Sequence, residues 1–357
     1  MEKKNYDISI IVPVYNTSKY IEKCLSSIVD AMDETCEVIV VNDGSTDNSE
    51  NIIKEFIDKL PKKTKDNFSY YYKANKGLAD TKNFGIKKSK GKYISVIDSD
   101  DYITGDFYSV AKKYINEKYD MIIYDLCVVF ENGQYPNYVA RASRDTEDTL
   151  KLKVLCGEMQ GSSCNKIIKK SLYKYEFPVG KQYEDVAVTP FIIEDAKKIK
   201  YLPYGMYYYL QRGNSIVNTN SLSEAFYKIC SNIQCVLNTN EKIEKYFDVI
   251  DEYFIKRTIE NFELDYKKKK RFLNNLKSFK KNNKKIINYI CKNIELIDNN
   301  NKITNNQKKM LKKIYISINE EKYFKVLMIM FVKKSINRLR TILGSFKGFL
   351  KSFVGGK

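Results

Sequence analysis

Residues 8–15 read ISIIVPVY, an unbroken and largely β-branched apolar run, and the following residues 18–33 place apolar side chains at helical spacing. A strand followed at once by a helix is therefore predicted. The pair recurs, with strands at 37–41, 68–72 and 93–97, helices at 48–60 and 78–88, and a last helix and strand at 106–118 and 121–129. This alternation predicts an α/β fold with a mostly parallel sheet and flanking helices.

The distribution of charge divides the chain near residue 220. Residues 1–220 hold 32 Lys+Arg against 31 Asp+Glu, whereas residues 221–357 hold 30 against 13, so the second part carries nearly all of the net charge of +18. The sequence beyond residue 220 also becomes lysine-rich and helical in pattern. We therefore predict one domain at 1–220 that holds the chemistry and a basic α-helical C-terminal region at 221–357.

The sequence contains no histidine, which removes the usual neutral-pH base and histidine-ligated zinc. We expect a carboxylate as any general base and oxygen ligands for any metal ion. The eight cysteines show no paired spacing, the N-terminus lacks the apolar stretch of a signal peptide, and the longest apolar run, 326–332, is far too short to span a bilayer. These features predict a cytoplasmic protein without a transmembrane helix.

Polar residues follow the second predicted strand in the segment NDGSTDNS at 42–49. Gly44 permits a tight turn and the hydroxyl and amide side chains can cap the next helix, so one interpretation is a strand-to-helix turn. The functional interpretation adds Asp43, at the end of a strand, as an acceptor for the edge of a nucleobase.

Three carboxylates crowd into the segment IDSDD at 97–101, immediately after the fourth strand. A bound cation would offset their mutual repulsion. If the backbone stays extended, Asp98 and Asp100 point to one side and can face a divalent cation, or one metal ion and one sugar hydroxyl. The alternative is a solvated acidic turn that caps the helix at 106.

Two more candidate segments lie near the end of the first domain. Glu184 and Asp185 begin an apolar segment that is predicted to be helical, where acidic residues are favourable; in a chain without histidine, one of them is also a candidate to deprotonate a sugar hydroxyl. Arg212 lies in the segment YLQRGNSI at 209–216, a loop that can clamp a diphosphate. A lone arginine in a loop is otherwise an ordinary solvated residue.

Taken in order, these segments resemble the family 2 glycosyltransferases, inverting enzymes of the GT-A fold. The resemblance rests on SIIVPVYN (9–16), EVIVVNDGS (37–45), NKGLADTKNFGI (75–86), YISVIDSDD (93–101) and residues 165–172, 183–185 and 212–216. It implies transfer of a sugar from a nucleoside-diphosphate sugar, a UDP-sugar by default. The acceptor it implies is a hydroxyl of a glycan or a lipid-linked molecule in bacterial surface polysaccharide synthesis.

The resemblance also implies roles for individual residues. Asp98 and Asp100 match the DxD pair, in which the first aspartate contacts ribose or sugar and the second holds Mn²⁺ or Mg²⁺ that bridges the donor diphosphate. Asp185 matches the catalytic base, with Glu184 as its companion. The other positions implied to bind the nucleotide sugar are Pro13, Tyr15, Asp43, Asn75, Gly77, Lys82, Ser99, Arg212 and Ser215.

The chain departs from the family pattern at one position. Many relatives have Ala-Arg-Asn-x-Gly where this sequence has TKNFG at 81–85. The bidentate contact of an arginine to phosphate is lost there, although Lys82 keeps the charge.

A second pattern lies near residues 322–354 of the C-terminal region. From Ile336 to Phe353, apolar residues recur at three- and four-residue spacing with arginines and lysines between them, and no acidic residue follows Glu321. A basic amphipathic helix suits an anionic membrane surface, and bacterial relatives commonly work on lipid-linked acceptors. The alternative is a helix whose apolar stripe packs on the catalytic domain.

Two other functions are compatible with parts of the sequence. The basic C-terminal region would suit a nucleic-acid-binding protein, but it lacks a recognisable RNA or DNA module and its aromatic residues lie on an apolar stripe. A catalytically inactive GT-A partner subunit would keep the fold, but the intact carboxylates argue against it. The prediction is therefore a metal-dependent transferase that binds no nucleic acid and works in the cytoplasm. For the C-terminal helix, the inner face of the cell membrane and packing on the catalytic domain stay open as alternatives.

Overall fold

A computed structural model describes residues 4–131, 138–140, 162–212, 269–282, 284–299, 304–329 and 332. The described residues fall into two compact units, one holding those up to 212 and the other those from 269 onward. The predicted boundary at residue 220 lies outside the described residues.

The first unit contains the predicted alternation of strands and helices. Helix α1 (Ile21–Ala31) forms because its apolar residues recur on one face, where Ile21, Leu25 and Ile28 are fully buried. The strands are β1 Ile8–Val14, β2 Cys36–Asn42, β3 Phe68–Tyr72, β4 Tyr93–Val96, β5 Tyr102–Ile103, β6 Met121–Phe130, β7 Tyr138–Ala140, β8 Lys166–Lys169 and β9 Ile199–Gln211. The helices are α1 Ile21–Ala31, α2 Ser49–Lys59, α3 Lys62–Lys65, α4 Leu78–Lys88, α5 Phe107–Asn116 and α6 Glu184–Asp195.

These strands form a single sheet in the order β3-β2-β1-β4-β8-β6-β9-β5, and β7 pairs with β6 at residues 126–128. Strand β1 pairs in parallel with β2 and β4, and β3 pairs in parallel with β2. Beyond β4 the sheet is mixed, because β8 runs antiparallel to both β4 and β6 and β9 is antiparallel to β5 but parallel to β6. The predicted mostly parallel sheet with flanking helices is confirmed.

Both faces of the central strands are covered. Along β1, Ile10 and Val12 belong to the large core beneath α1 and α5, whereas Ile11 packs on the opposite face with β4 and with Ile86 of α4. Successive side chains of a strand point to opposite faces, so a wholly apolar strand is buried only when helices cover both sides.

The second unit is helical in all of its described parts. Its helices are α7 Lys269–Asn282, α8 Lys284–Lys292, α9 Glu295–Asn299 and α10 Asn305–Asn319, followed by a helical segment at 323–329. The predicted α-helical C-terminal region is confirmed for these residues, and the amphipathic pattern from 333 onward lies outside them. Within the described part of the chain, no helix has the length and apolar character needed to cross a membrane.

Gly91 allows α4 and β4 to meet the start of β1. Its N–H donates to Ser9 Oγ at 2.8 Å and to Glu37 Oε1 at 3.1 Å, and a Cβ atom at this position would lie 2.6 Å from the backbone nitrogen of Ser9. We expect Gly91→Ala to lower the free energy of unfolding by about 1–3 kcal/mol, because a buried backbone segment must shift. Urea unfolding monitored by circular dichroism measures this change.

Gly105→Ala is the matched control, since a Cβ atom there meets nothing within 4 Å. It should change the free energy of unfolding by no more than about 0.5 kcal/mol. Equal stability of the Gly91→Ala and Gly105→Ala proteins would contradict the close approach described for Gly91.

Candidate active site

Polar loops follow three parallel strands that end at the same edge of the sheet. Strand β1 ends at Val14, β2 at Asn42 and β4 at Val96. In α/β sheets, ligands bind at the carboxyl ends of the strands, where the loops diverge. The predicted segments at 42–49 and 97–101 therefore lie at one edge of the sheet.

Asp43 organises the loop that follows β3. Its buried carboxylate accepts the N–H of Lys76 at 3.0 Å on one oxygen and the N–H of Gly77 at 2.8 Å on the other. Lys73 forms an ion pair with Asp43 and also contacts Asp80 at 2.8 Å. Gly77 has a φ of 89°, a conformation that favours glycine, and it leads directly into α4.

The loops after β1 and β2 are also joined. The N–H of Asn16 donates to Ser45 Oγ at 3.0 Å. Tyr15, just before it, is 50% exposed, and Asn75 is exposed as well, whereas Pro13 is buried inside β1. The predicted roles of these residues in nucleobase binding stay predictions.

The acidic segment after β4 folds into a turn. The N–H of Asp101 donates to the carbonyl oxygen of Asp98 at 3.0 Å. The extended backbone that was expected to carry Asp98 and Asp100 to one side is therefore wrong. Ser99, inside the turn, is buried and accepts a hydrogen bond from the Thr17 hydroxyl at 3.0 Å, which ties the turn to the loop after β1.

Strand β9 explains why the turn forms, because it draws Asp101 inward. The Asp101 carboxylate accepts the Tyr207 hydroxyl at 2.7 Å and the N–H of Leu210 at 2.8 Å. The same hydroxyl accepts the N–H of Asp98 at 3.1 Å. Burial raises the pKa of Asp101 well above its usual value, and the carboxylates of Asp100 and Asp98 raise it further.

The other two carboxylates of the turn are both partly exposed. Partial burial raises the pKa of Asp98; the Lys82 ammonium opposes this rise, and the carboxylate of Asp100 adds to it. Asp100 forms an ion pair with Arg212, directly after β9. The guanidinium of Arg212 also lies 5.2 Å from the ring of Tyr20.

Asp98 and Asp100 are the candidate metal ligands. Among the described residues, no group of three or more acidic, cysteine or histidine side chains could hold a metal ion. Mg²⁺ at nucleotide sites is commonly held by one or two carboxylates together with water and substrate phosphates, so a pair of carboxylates suffices. The crowding of negative charge around Asp98 fits Mn²⁺ or Mg²⁺ that shares its coordination with a diphosphate.

A second carboxylate pair lies at the start of α6. Tyr183, just before the helix, has a φ of 62°, a left-handed conformation that is uncommon for a residue with a side chain. It is followed by Glu184, which is buried, and by Asp185, which is partly exposed. The two oxygens of Asp185 accept the N–H of Ser163 at 3.1 Å and the N–H of Val186 at 2.9 Å. Backbone groups therefore fix the direction of this carboxylate.

Lys82 lies between these acidic groups and is only 2% exposed. Its ammonium donates to Glu184 Oε1 at 2.8 Å and to Ser163 Oγ at 3.0 Å. Burial lowers the pKa of Lys82, but the carboxylates of Glu184, Asp185 and Asp98 raise it more, so the lysine stays protonated. The predicted contact of Lys82 with donor phosphate stays a prediction, and its charge is already balanced inside the protein.

In the structure, the charges of Lys82 and Asp185 both act on the pKa of Asp98, so the segments that carry these three residues lie near one another. Ser215, predicted to contact the diphosphate, lies outside the described residues. Tyr207 and Ser163 could not be identified from the sequence, because a tyrosine in an apolar strand and a serine in a loop carry no periodic signal of their own.

Comparison with known proteins finds relatives of this chain. The sequence model of the family glycosyl transferase family 2 matches residues 9–177. Glycosyltransferase GlyG of Streptococcus pneumoniae serotype 4 is 31% identical over 226 residues, which cover 59% of this chain and 73% of GlyG. The minor teichoic acid biosynthesis protein GgaB of Bacillus subtilis is 30% identical over 222 residues, which cover 60% of this chain but only 24% of GgaB.

A solved structure has a similar fold. TarS 1–349 of S. aureus, in complex with UDP-GlcNAc, matches with a TM-score of 0.67 at 20% identity, over 92% of each chain. The shared fold agrees with the arrangement of strands described above. The chain therefore belongs to glycosyl transferase family 2 and has the GT-A fold.

Proposed function

We propose that this glycosyltransferase moves a sugar, with inversion, from a nucleoside-diphosphate sugar to a hydroxyl of a glycan or lipid-linked acceptor in bacterial surface polysaccharide synthesis. The observation that carries the proposal is the placement of Asp185. Its carboxylate is partly exposed, is oriented by two backbone N–H groups and lies within electrostatic range of Asp98 in the acidic turn. This arrangement supports a base and a donor-binding turn at one site.

On the acceptor side, Asp185 takes the proton from the acceptor hydroxyl as the hydroxyl oxygen attacks the anomeric carbon of the sugar. The new glycosidic bond forms on the face opposite the leaving group, and the bond from the anomeric carbon to the diphosphate oxygen breaks. The nucleoside diphosphate leaves with the electron pair of that bond, and the proton remains on Asp185. No histidine is required.

On the donor side, Asp98 and Asp100 would hold Mn²⁺ or Mg²⁺, which would supply charge neutralisation and orientation for the diphosphate. Arg212 contacts Asp100 through an ion pair and so lies close enough to the turn to contribute a second positive charge. At the nucleobase end, Tyr15 offers an exposed ring, and its neighbour Asn16 is joined to Ser45 in the loop that also carries Asp43.

The relatives support the class of donor and the pathway. The TarS structure contains UDP-GlcNAc, so a protein of this fold accepts a UDP-sugar, and we favour a UDP-sugar for this chain. GgaB takes part in minor teichoic acid biosynthesis, which supports a role in making a cell-surface polymer.

We expect Asp185→Asn to bind UDP as the wild type does but to transfer sugar roughly 10²- to 10⁴-fold more slowly, because the amide cannot accept the proton. The measurement is UDP release from a panel of UDP-sugars with glycan and lipid-linked acceptors, and calorimetry gives the affinity for UDP. Asp195→Asn, at the other end of α6, is the matched control and should transfer sugar normally.

Transfer at the wild-type rate by Asp185→Asn would remove this residue from the mechanism. UDP binding by the wild type without transfer to any acceptor in the panel would instead favour an inactive partner subunit.

We also propose that the C-terminal region binds an anionic membrane surface. In the helical segment 323–329, Phe324 is 68% exposed and Met328 is 46% exposed, and Val332 continues the four-residue spacing. Lys322 and Lys325 flank this apolar stripe. Exposed apolar side chains beside lysines suit the boundary between acidic headgroups and acyl chains.

The double variant Phe324→Ser/Met328→Ser should bind phosphatidylglycerol vesicles roughly tenfold more weakly than the wild type, because it loses two apolar side chains that would enter the bilayer. Flotation on vesicles with and without phosphatidylglycerol measures this. Val179→Ser, which replaces an exposed apolar residue in the first unit, is the control. Substitution is preferable to deletion from residue 322 because Val326 and Leu327 are buried.

Equal flotation of the double variant and the wild type on phosphatidylglycerol vesicles would rule out this stripe as the anchor. It would favour the alternative in which the apolar surface packs against protein.

A further inference from the structure

Helix α4 and the start of α6 are joined at Lys82. The lysine reaches Glu184 and Ser163, which are 102 and 81 residues away in sequence. Both contacts are buried, and water therefore competes for them far less than at a surface. Lys82 is the shared partner of two segments that flank Asp185.

The segment with Ser163 contacts Asp185, the proposed base, directly. The N–H of Ser163 donates to Asp185, so the position of Ser163 fixes one oxygen of that carboxylate. The bond from Lys82 to the hydroxyl of Ser163 restrains the side chain of the same residue. Lys166, at the start of β8, secures this loop further by donating to the carbonyl oxygen of Ser162 at 2.7 Å.

The second contact concerns charge. Glu184 is buried beside Asp185, and two adjacent carboxylates repel each other unless a cation is near. The Lys82 ammonium, 2.8 Å from Glu184, neutralises one of them. This leaves Asp185 as the partly exposed carboxylate of the pair, available to an incoming hydroxyl.

We propose that Lys82 is a positioning residue for the base Asp185, acting through Ser163 and Glu184 on the acceptor side of the site and not through the donor phosphates. This inference rests on the proposed function, because it assumes that Asp185 is the base. It assigns to the lysine in TKNFG a role different from phosphate contact.

Lys82→Met tests the proposal, since methionine keeps most of the volume and removes the charge and both hydrogen bonds. We expect kcat to fall roughly 10- to 100-fold, because a small displacement of the base has a large effect on rate. The affinity for UDP in the presence of Mn²⁺ and the KM for the donor should change less than about threefold. Lys82→Arg, which keeps a cationic donor, should recover a substantial part of kcat.

Lys82→Met leaves Glu184 buried without its cation, so this variant is open to a loss of folding. The double variant Lys82→Met/Glu184→Gln removes both charges and should restore the wild-type thermal transition while kcat stays low, because the tether to Ser163 is still absent. Lys169→Met is the control for loss of a lysine. It removes the partly exposed ion pair between Lys169, on β8, and Asp120. Its kcat should equal that of the wild type.

A loss of UDP affinity of tenfold or more in Lys82→Met and in the double variant, with kcat unchanged, would overturn the inference and return Lys82 to the donor phosphates. Wild-type kcat in the double variant would overturn it as well. Absence of transfer by the wild type with every donor and acceptor would overturn the proposed function, and the inference with it. These outcomes are distinct because only the last one concerns the unmodified protein.

Discussion

The structure depends on holding several carboxylates away from water at one edge of a sheet, which is unfavourable unless each receives a cation or a set of hydrogen bonds. Two buried acids have such partners. Asp43 has Lys73 and two loop N–H groups, and Glu184 has Lys82. Asp98, by contrast, is partly exposed and lies among other carboxylates, and its pKa is raised although Lys82 opposes the rise. The position that remains crowded with negative charge is therefore the one proposed to meet a metal ion.

Helix α4 connects the two ends of this edge. Asp43 fixes Gly77, the residue just before the helix, by accepting its N–H. Lys82, in the second turn of the helix, contacts Glu184. Gly85, later in the helix, lets α4 lie close against Ile11 of β1, because a Cβ atom there would clash with that side chain. The nucleobase end and the acceptor end of the proposed site are thus held by one rigid element packed on the central strand.

The sequence predicted the strands β1–β4 and β6 and most of the helices of the first unit, because apolar periodicity is local. It did not predict β5, β7, β8 or β9, and it assigned residues 209–211, the end of β9, to a loop. It could not predict the pairing of Lys82 with Glu184 across 102 residues, since no local pattern records which charge meets which. The turn after β4 was missed for the same reason. It depends on Tyr207, a residue on β9 that is 106 positions from Asp101.

Calorimetric titration of UDP into the wild type and Asp100→Ala, each with and without Mn²⁺, tests whether the acidic turn binds the donor and its metal ion. We expect Mn²⁺ to strengthen UDP binding to the wild type and Asp100→Ala to lose this gain. Equal affinity for UDP with and without Mn²⁺ in the wild type, or a full response to Mn²⁺ in Asp100→Ala, would contradict the assignment of the acidic turn as the donor and metal site.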